Sequence, residues 1–152
     1  MKGFGENNNY KKINKRSNNP SIEEIINYAI NFQLKGNFEE ANKCYKYCID
    51  KGIKDPRVFC NYGLILLKLG DLQNAKLMLE RSIEISPNDT KSYNNLSGIL
   101  QELGKFDEAE TILYKSLEID QKNSITYSNL GTVLIHQGKF DEAELILKKS
   151  IS

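Results

Sequence analysis

Asparagine recurs at Asn27, Asn61, Asn95 and Asn129, once every 34 residues. An amide side chain offers two N–H donors and an acceptor carbonyl, so each can meet the C=O and N–H of a peptide bond together. Acid–base and nucleophilic chemistry have less to stand on. His136 is the one histidine. It falls at a helix end with no nucleophile–base set around it, which suits a groove-lining or surface side chain better than a catalytic base. Cys44 and Cys48 lie four apart, with Cys60 on the next element. Three sulfurs fall short of the four ligands zinc usually takes, and Cys48 sits where the pattern wants a small core residue, as free cysteine often does. Gly3-Phe4-Gly5 has no strand before it and no helix close behind, so it is no phosphate loop. We expect neither metal nor cofactor, and no enzyme activity.

The elements that would position the asparagines are written in a repeated heptapeptide. GKFDEAE occupies 104–110 and again 138–144, with GDLQNA at 70–75 and GNFEEA at 36–41 in the same phase. A fixed period of this length marks a repeat array. Each copy reads as a tight turn between antiparallel helices. Gly36, Gly70, Gly104 and Gly138 suit the residue just past a helix end. The acidic residues of three copies suit the start of the next helix dipole. Ala41, Ala75, Ala109 and Ala143 let two helices approach closely, where a larger side chain would overpack.

In chain order, residues 1–20 form an Asn- and Lys-rich tail with five bases against one acid. The net charge of +1 therefore divides into +4 on the tail and −3 on the rest. The tail reads as a disordered, solvated segment, or alternatively as a basic tether whose phosphate contacts would weaken with salt. Order begins with a capping box, Ser21 and Glu24. The spacing predicts helices over about 22–35, 38–51, 56–69, 72–85, 90–103, 106–119, 124–137 and 140–151. Asn37 with Glu40 reads as a second box, Asp55-Pro56 as a cap with proline at the first helical position, and Asp71 as a further cap. Gly52-Ile53-Lys54 is a short link. No apolar run approaches the roughly 20 residues of a membrane span, no secretory apolar stretch opens the chain, and three cysteines fit a reducing compartment. We expect a cytoplasmic protein without membrane contact, and the near-neutral balance argues against nucleic acid.

From Ile22 to Ser152 the pattern resembles the tetratricopeptide repeat (TPR), a 34-residue helix–turn–helix unit. The repeats cover 22–55, 56–89, 90–123 and 124–152, within an array spanning 21–152. Position 4 is Ile25, Phe59, Tyr93 and Tyr127; position 8 is Ala29, Gly63, Ser97 and Gly131; position 24 is Tyr45, Leu79, Leu113 and Leu147. Position 27 is Cys48, Ser82, Ser116 and Ser150, all small. The proline usual at position 32 survives only as Pro87. The resemblance implies an all-α solenoid of four antiparallel helix pairs, a right-handed superhelix whose first helices line a concave groove. It also implies that positions 2, 5, 6, 9, 12 and 13 face that groove, which puts the four asparagines at position 6 upon it.

Packed helices lie roughly 8–10 Å apart and an extended chain rises about 3.3 Å per residue. Neighbouring asparagines would grip a peptide every two or three residues. Asparagine is also a common consensus residue at that position, so the ladder is either used or merely inherited. Around it the N-terminal half reads as apolar (Ile26, Ile30, Leu34, Cys60, Leu64, Leu67). The C-terminal half reads as polar (Asn94, Gln101, Glu102, Ser128, Thr132, with Ile125 and Ile135). Arg57, Lys68 and Lys91 add a basic edge. Ile26 and Ile30 stand where a chaperone-type carboxylate clamp would need lysine and asparagine, which excludes that subtype. The expected role is a protein or peptide interaction module. A recruiting arm for a transferase acting in trans is one alternative. Self-assembly through Leu145, Ile146, Leu147 and Ile151 of the last helix, left partly open, is another.

Overall fold

The computed structural model describes residues 20–151. The tail at 1–19, expected to be disordered, lies outside the described residues. The described residues form eight α-helices and no strand: α1 (Ile22–Leu34), α2 (Phe38–Asp50), α3 (Pro56–Lys68), α4 (Leu72–Ile85), α5 (Thr90–Glu102), α6 (Phe106–Ile119), α7 (Ser124–His136) and α8 (Phe140–Ser150). They pair as four antiparallel hairpins.

Local chemistry sets the boundaries. The Ser21–Glu24 box closes in both directions, Glu24 N–H donating to Ser21 Oγ at 3.2 Å and Ser21 N–H to Glu24 Oε2 at 2.8 Å. The box expected at Asn37 forms only half. Asn37 Oδ1 accepts from Glu40 N–H at 3.5 Å, but the Glu40 carboxylate is taken by Lys43 at 2.7 Å. Asp55, Asp71, Asp89 and Asn123 each accept from a backbone N–H in the first turn they precede. α6 and α8 have lysine at the cap and no side-chain cap bond. Their first turns carry Asp107–Glu108 and Asp141–Glu142, which favour the positive helix end instead.

Each first helix ends in the same way. At Gly36, φ is +72°, Gly36 N–H donates to Gln33 O at 3.0 Å, and Asn37 N–H reaches back to Phe32 O at 2.9 Å. This two-bond turn satisfies carbonyls the helix would leave open, and it recurs at Gly70, Gly104 and Gly138. Gly52, read from sequence as part of a plain link, makes the same turn, with Ile53 N–H on Cys48 O at 3.1 Å.

Close helix approach follows from the small residues. Ala41, Ala75, Ala109 and Ala143 are buried. A Cβ at Gly63 would come within 3.0 Å of Leu79 Cγ, and one at Gly131 would collide with Leu147. The core divides into two columns. One is built on Ile26, Tyr45, Val58 and Ile65, the other runs from Leu66 and Leu79 to Leu134, and Tyr62 packs against both. Between hairpins the buried contacts differ by junction. Cys48 and Val58 meet the first junction as apolar groups, both fully buried. At the next two, the same positions hold hydroxyl pairs, Ser82 with Ser92 and Ser116 with Thr126, each at 3.0 Å. Buried hydroxyls must find partners, and here the neighbouring repeat supplies them.

Among the described residues, each first helix touches the next first helix, α1 to α3, α3 to α5 and α5 to α7, whereas the second helices do not touch one another. Elements on the inside of a curved stack lie closest. The four first helices therefore form the inner wall.

Candidate functional site

All four asparagines lie on the inner-wall helices: Asn27 on α1, Asn61 on α3, Asn95 on α5 and Asn129 on α7. Asn27 is exposed and the other three are half-buried. Their amides are held from the preceding repeat. Asn95 Nδ2 donates to Cys60 Sγ at 3.4 Å, and Asn129 Nδ2 donates to Asn94 Oδ1 at 3.2 Å. In both cases position 6 of one repeat bonds position 5 of the repeat before it. Asn61, whose corresponding neighbour is the apolar Ile26, lies instead beside the hydroxyl of the buried Tyr45. Burial pushes the Tyr45 phenol well above its usual range, and its O–H donates to Gln33 Oε1 at 3.0 Å. An NH2 group carries two hydrogens. Asn95 and Asn129 thus spend one on orientation and keep a second hydrogen and a carbonyl for another group.

The other expected site residues separate into those on the wall and those spent elsewhere. Ile30 and Leu64 are half-buried, and Lys68 and Lys91 are exposed. Asn94 is saturated: its Nδ2 donates to Thr90 O at 3.0 Å and to Thr126 Oγ1 at 2.9 Å, while its Oδ1 accepts from Asn129. Arg57 is committed to two carboxylates. Its Nη1 and Nη2 donate to Glu23 at 3.0 and 2.8 Å, and its Nε and Nη2 donate to Asp55 at 3.1 and 2.7 Å. Hydrogen bonding to Arg57 holds the Asp55 and Glu23 carboxyls below their usual range. Arg57 clamps the first repeat to the second.

The expected division into an apolar and a polar half requires correction. Ile26 and Cys60 are only 1% and 4% exposed. They are core, because position 5 is covered by the next repeat. Leu34, 82% exposed, remains as apolar surface in the first repeat, and Ile125 and Ile135 are exposed in the last. Apolar surface therefore occurs at both ends of the wall.

Gly98 was not singled out by the sequence reading. It lies inside α5 at position 9, in register with Ile30, Leu64 and Thr132. A Cβ built there meets nothing within 4 Å. Unlike Gly63 and Gly131, it has no packing reason to be small, yet glycine in a helix interior costs about 1 kcal/mol against alanine. A glycine inside a helical pattern, away from the small residue of position 8 and from the alanine that follows each turn, was the available signal.

His136 is exposed and stacks on Phe106, ring centroids 4.9 Å apart. Cys44, Cys48 and Cys60 are buried, and no disulfide joins them. Among the described residues no group of three or more His, Cys, Asp and Glu is placed to hold a metal ion, and no helix is long and apolar enough to cross a membrane.

The fourth repeat also exposes what the first three cover. Phe140 is 66% exposed, whereas Phe38, Leu72 and Phe106 at the same position are partly buried. Leu147 is half-buried against full burial of Tyr45, Leu79 and Leu113, and Ile151 is 87% exposed. At the opposite end the junction positions carry Glu24 and Asn31, both exposed.

Two family models described as tetratricopeptide repeat match the chain, at residues 56–89 and 89–152. Solved structures agree in fold. A crystal structure of MamA is 21% identical, covers 93% of this chain and 82% of that one, and superposes with a TM-score of 0.84. YrrB, described as a TPR protein with an unusual peptide-binding site, is 22% identical over 86% of this chain and 68% of its own, with a TM-score of 0.77. PilF of Pseudomonas aeruginosa is 18% identical over 86% and 60%, also at 0.77. No curated protein matches the chain. With eight helices in four phased hairpins and family models matching three of the four repeats, the chain belongs to the tetratricopeptide repeat family.

Proposed function

We propose that the chain is a non-enzymatic interaction module that holds an extended peptide segment along the inner wall of α1, α3, α5 and α7. The observation that carries this reading is the asparagine ladder. Four amides recur in phase on that wall, and Asn95 and Asn129 are held by a bond to the preceding repeat. An amide fixed before binding loses less side-chain entropy when a ligand arrives. Lys68 and Lys91 form the basic edge that orients the segment, with Leu64 and Ile30 beside the ladder; Arg57 and Asn94 act within the scaffold. The peptide-binding site reported for YrrB supports the reading by likeness of fold. Three buried cysteines without a disulfide suit a reducing, cytoplasmic setting.

Replacing Asn27, Asn61, Asn95 and Asn129 together by alanine tests the ladder. Each lost hydrogen bond contributes about 1 kcal/mol, so affinities on a peptide array should drop at least about a hundredfold. Unchanged affinities would remove the ladder from the mechanism.

A second reading is favoured by the open C-terminal face. Phe140 and Leu147 of α8, with Ile151 just past its end, occupy positions by which earlier repeats receive their successors, and such a face invites another chain. Sedimentation across a concentration range tests self-assembly; a monomer at high concentration rules it out.

A further inference from the structure

We infer that the inner wall is notched at Gly98 to seat one bulky apolar side chain of the bound segment, an inference that rests on the groove reading above. Three adjacent helices set the notch. Leu64 on α3, Gly98 on α5 and Thr132 on α7 occupy the same repeat position, and α5 touches both α3 and α7. The wall therefore drops from a leucine side chain to bare helix backbone and rises again at a threonine. No other helix uses the space, because a Cβ at Gly98 would meet nothing within 4 Å apart from its chain neighbours and the backbone of its own helix. Backbone conformation does not demand glycine either, since Gly98 is absent from the positive-φ glycines. A helix-interior glycine required by neither packing nor dihedral angle is suited to the close approach of a group from outside.

The chemistry of that group follows from the lining. The floor is the Cα of Gly98 and one side is the half-buried Leu64, both apolar. Asn95 lies one turn earlier on α5 and Asn129 one turn before Thr132 on α7. Their amides can bond the backbone on either side of an inserted residue, as alternate side chains of an extended chain point to opposite faces. The fit is to a leucine-, methionine- or phenylalanine-sized side chain on an extended peptide, with polar groups left to the main chain.

The test uses the full chain, a random peptide library selected on the wild-type protein, and the variants Gly98→Ala, Gly98→Leu and Asn95→Ala/Asn129→Ala. Gly98→Ala should melt about 3 °C higher than wild type while binding the selected peptides at least about threefold more weakly. Gly98→Leu should bind them about tenfold or more weakly. The selected peptides should share one large apolar residue. Its replacement by alanine should cost about tenfold against wild type and almost nothing against Gly98→Leu. A Gly98→Ala protein that melts below wild type would overturn the notch, by showing that the fold itself requires the glycine. Undiminished binding to both Gly98 variants, alongside loss of binding by the asparagine variant, would overturn the notch and leave the groove standing. A library that yields no binder to wild type, or binders indifferent to every variant, would overturn the groove reading and the notch with it.

Discussion

Asn94 and Asn95 are neighbours of identical chemistry, and the fold gives them different work. Asn94 is held between two repeats with donors and acceptor engaged, while Asn95 spends one hydrogen on Cys60 and keeps the other. The same division of labour appears in the buried hydroxyls. Ser82 bonds Ser92 and also donates toward Pro56 O at 2.9 Å. Ser82→Ala should therefore cost about 1–3 kcal/mol by leaving the Pro56 carbonyl unmet, while Ser92 keeps its bond to Asp89 Oδ2. Urea denaturation checks this, and a midpoint equal to wild type would refute the account. A second residue-scale expectation concerns alkali. Burial pushes the Cys48 thiol from its ordinary 9.0 up to about 11. The folded chain holds that proton more tightly than the unfolded chain, so the contribution is complete below about pH 9 and is lost as pH rises through 11. The loss amounts to roughly 2 kcal/mol. Denaturation at about pH 8.5 and 10.5 should show a shallower decline in Cys48→Ala, and equal declines would assign the titration to other groups.

At the scale of the element, each hairpin depends on one small residue at its crossing. Ala109 on α6 is wholly buried against α5. Ala109→Leu adds three carbons where no space exists and should destabilise the chain by about 2–3 kcal/mol. A melting temperature equal to wild type would show that the helices can separate without cost. The inter-repeat ion pairs matter less. Arg57 with Glu23 is half-exposed on both sides, and water and salt screen such pairs, so they add little to stability. Arg57→Gln should leave peptide affinity unchanged, since its guanidinium faces carboxylates of the scaffold.

At the scale of the molecule, stability is a sum of hairpins and nearest-neighbour junctions, because helices contact only their own hairpin and the next. The ends differ. Among the described residues the first repeat exposes Glu24 and Asn31, both polar, and the last exposes Phe140 and Ile151. Amide exchange should accordingly be fastest in α8 and α1 and slowest in α5 and α6, which have a repeat on either side. If α8 exchanged as slowly as α5 at low protein concentration, the open face would already be covered by something else.

The period, the approximate helix limits, the caps at Ser21, Asp55 and Asp71 and the buried alanines follow from the sequence alone, because they rest on backbone chemistry acting over a few residues and on repetition every 34 residues. Four near-equal units must make near-equal hairpins. Only the packed array decided which side of each helix met a neighbour. Ile26 and Leu34 are both apolar residues of α1, yet one is core and the other surface, because the second repeat covers position 5 and stops short of position 13. The engagement of Arg57 and Asn94, and the empty space beside Gly98, likewise depend on atoms one repeat away. Those distances are set by how closely two helices approach, which no local pattern encodes.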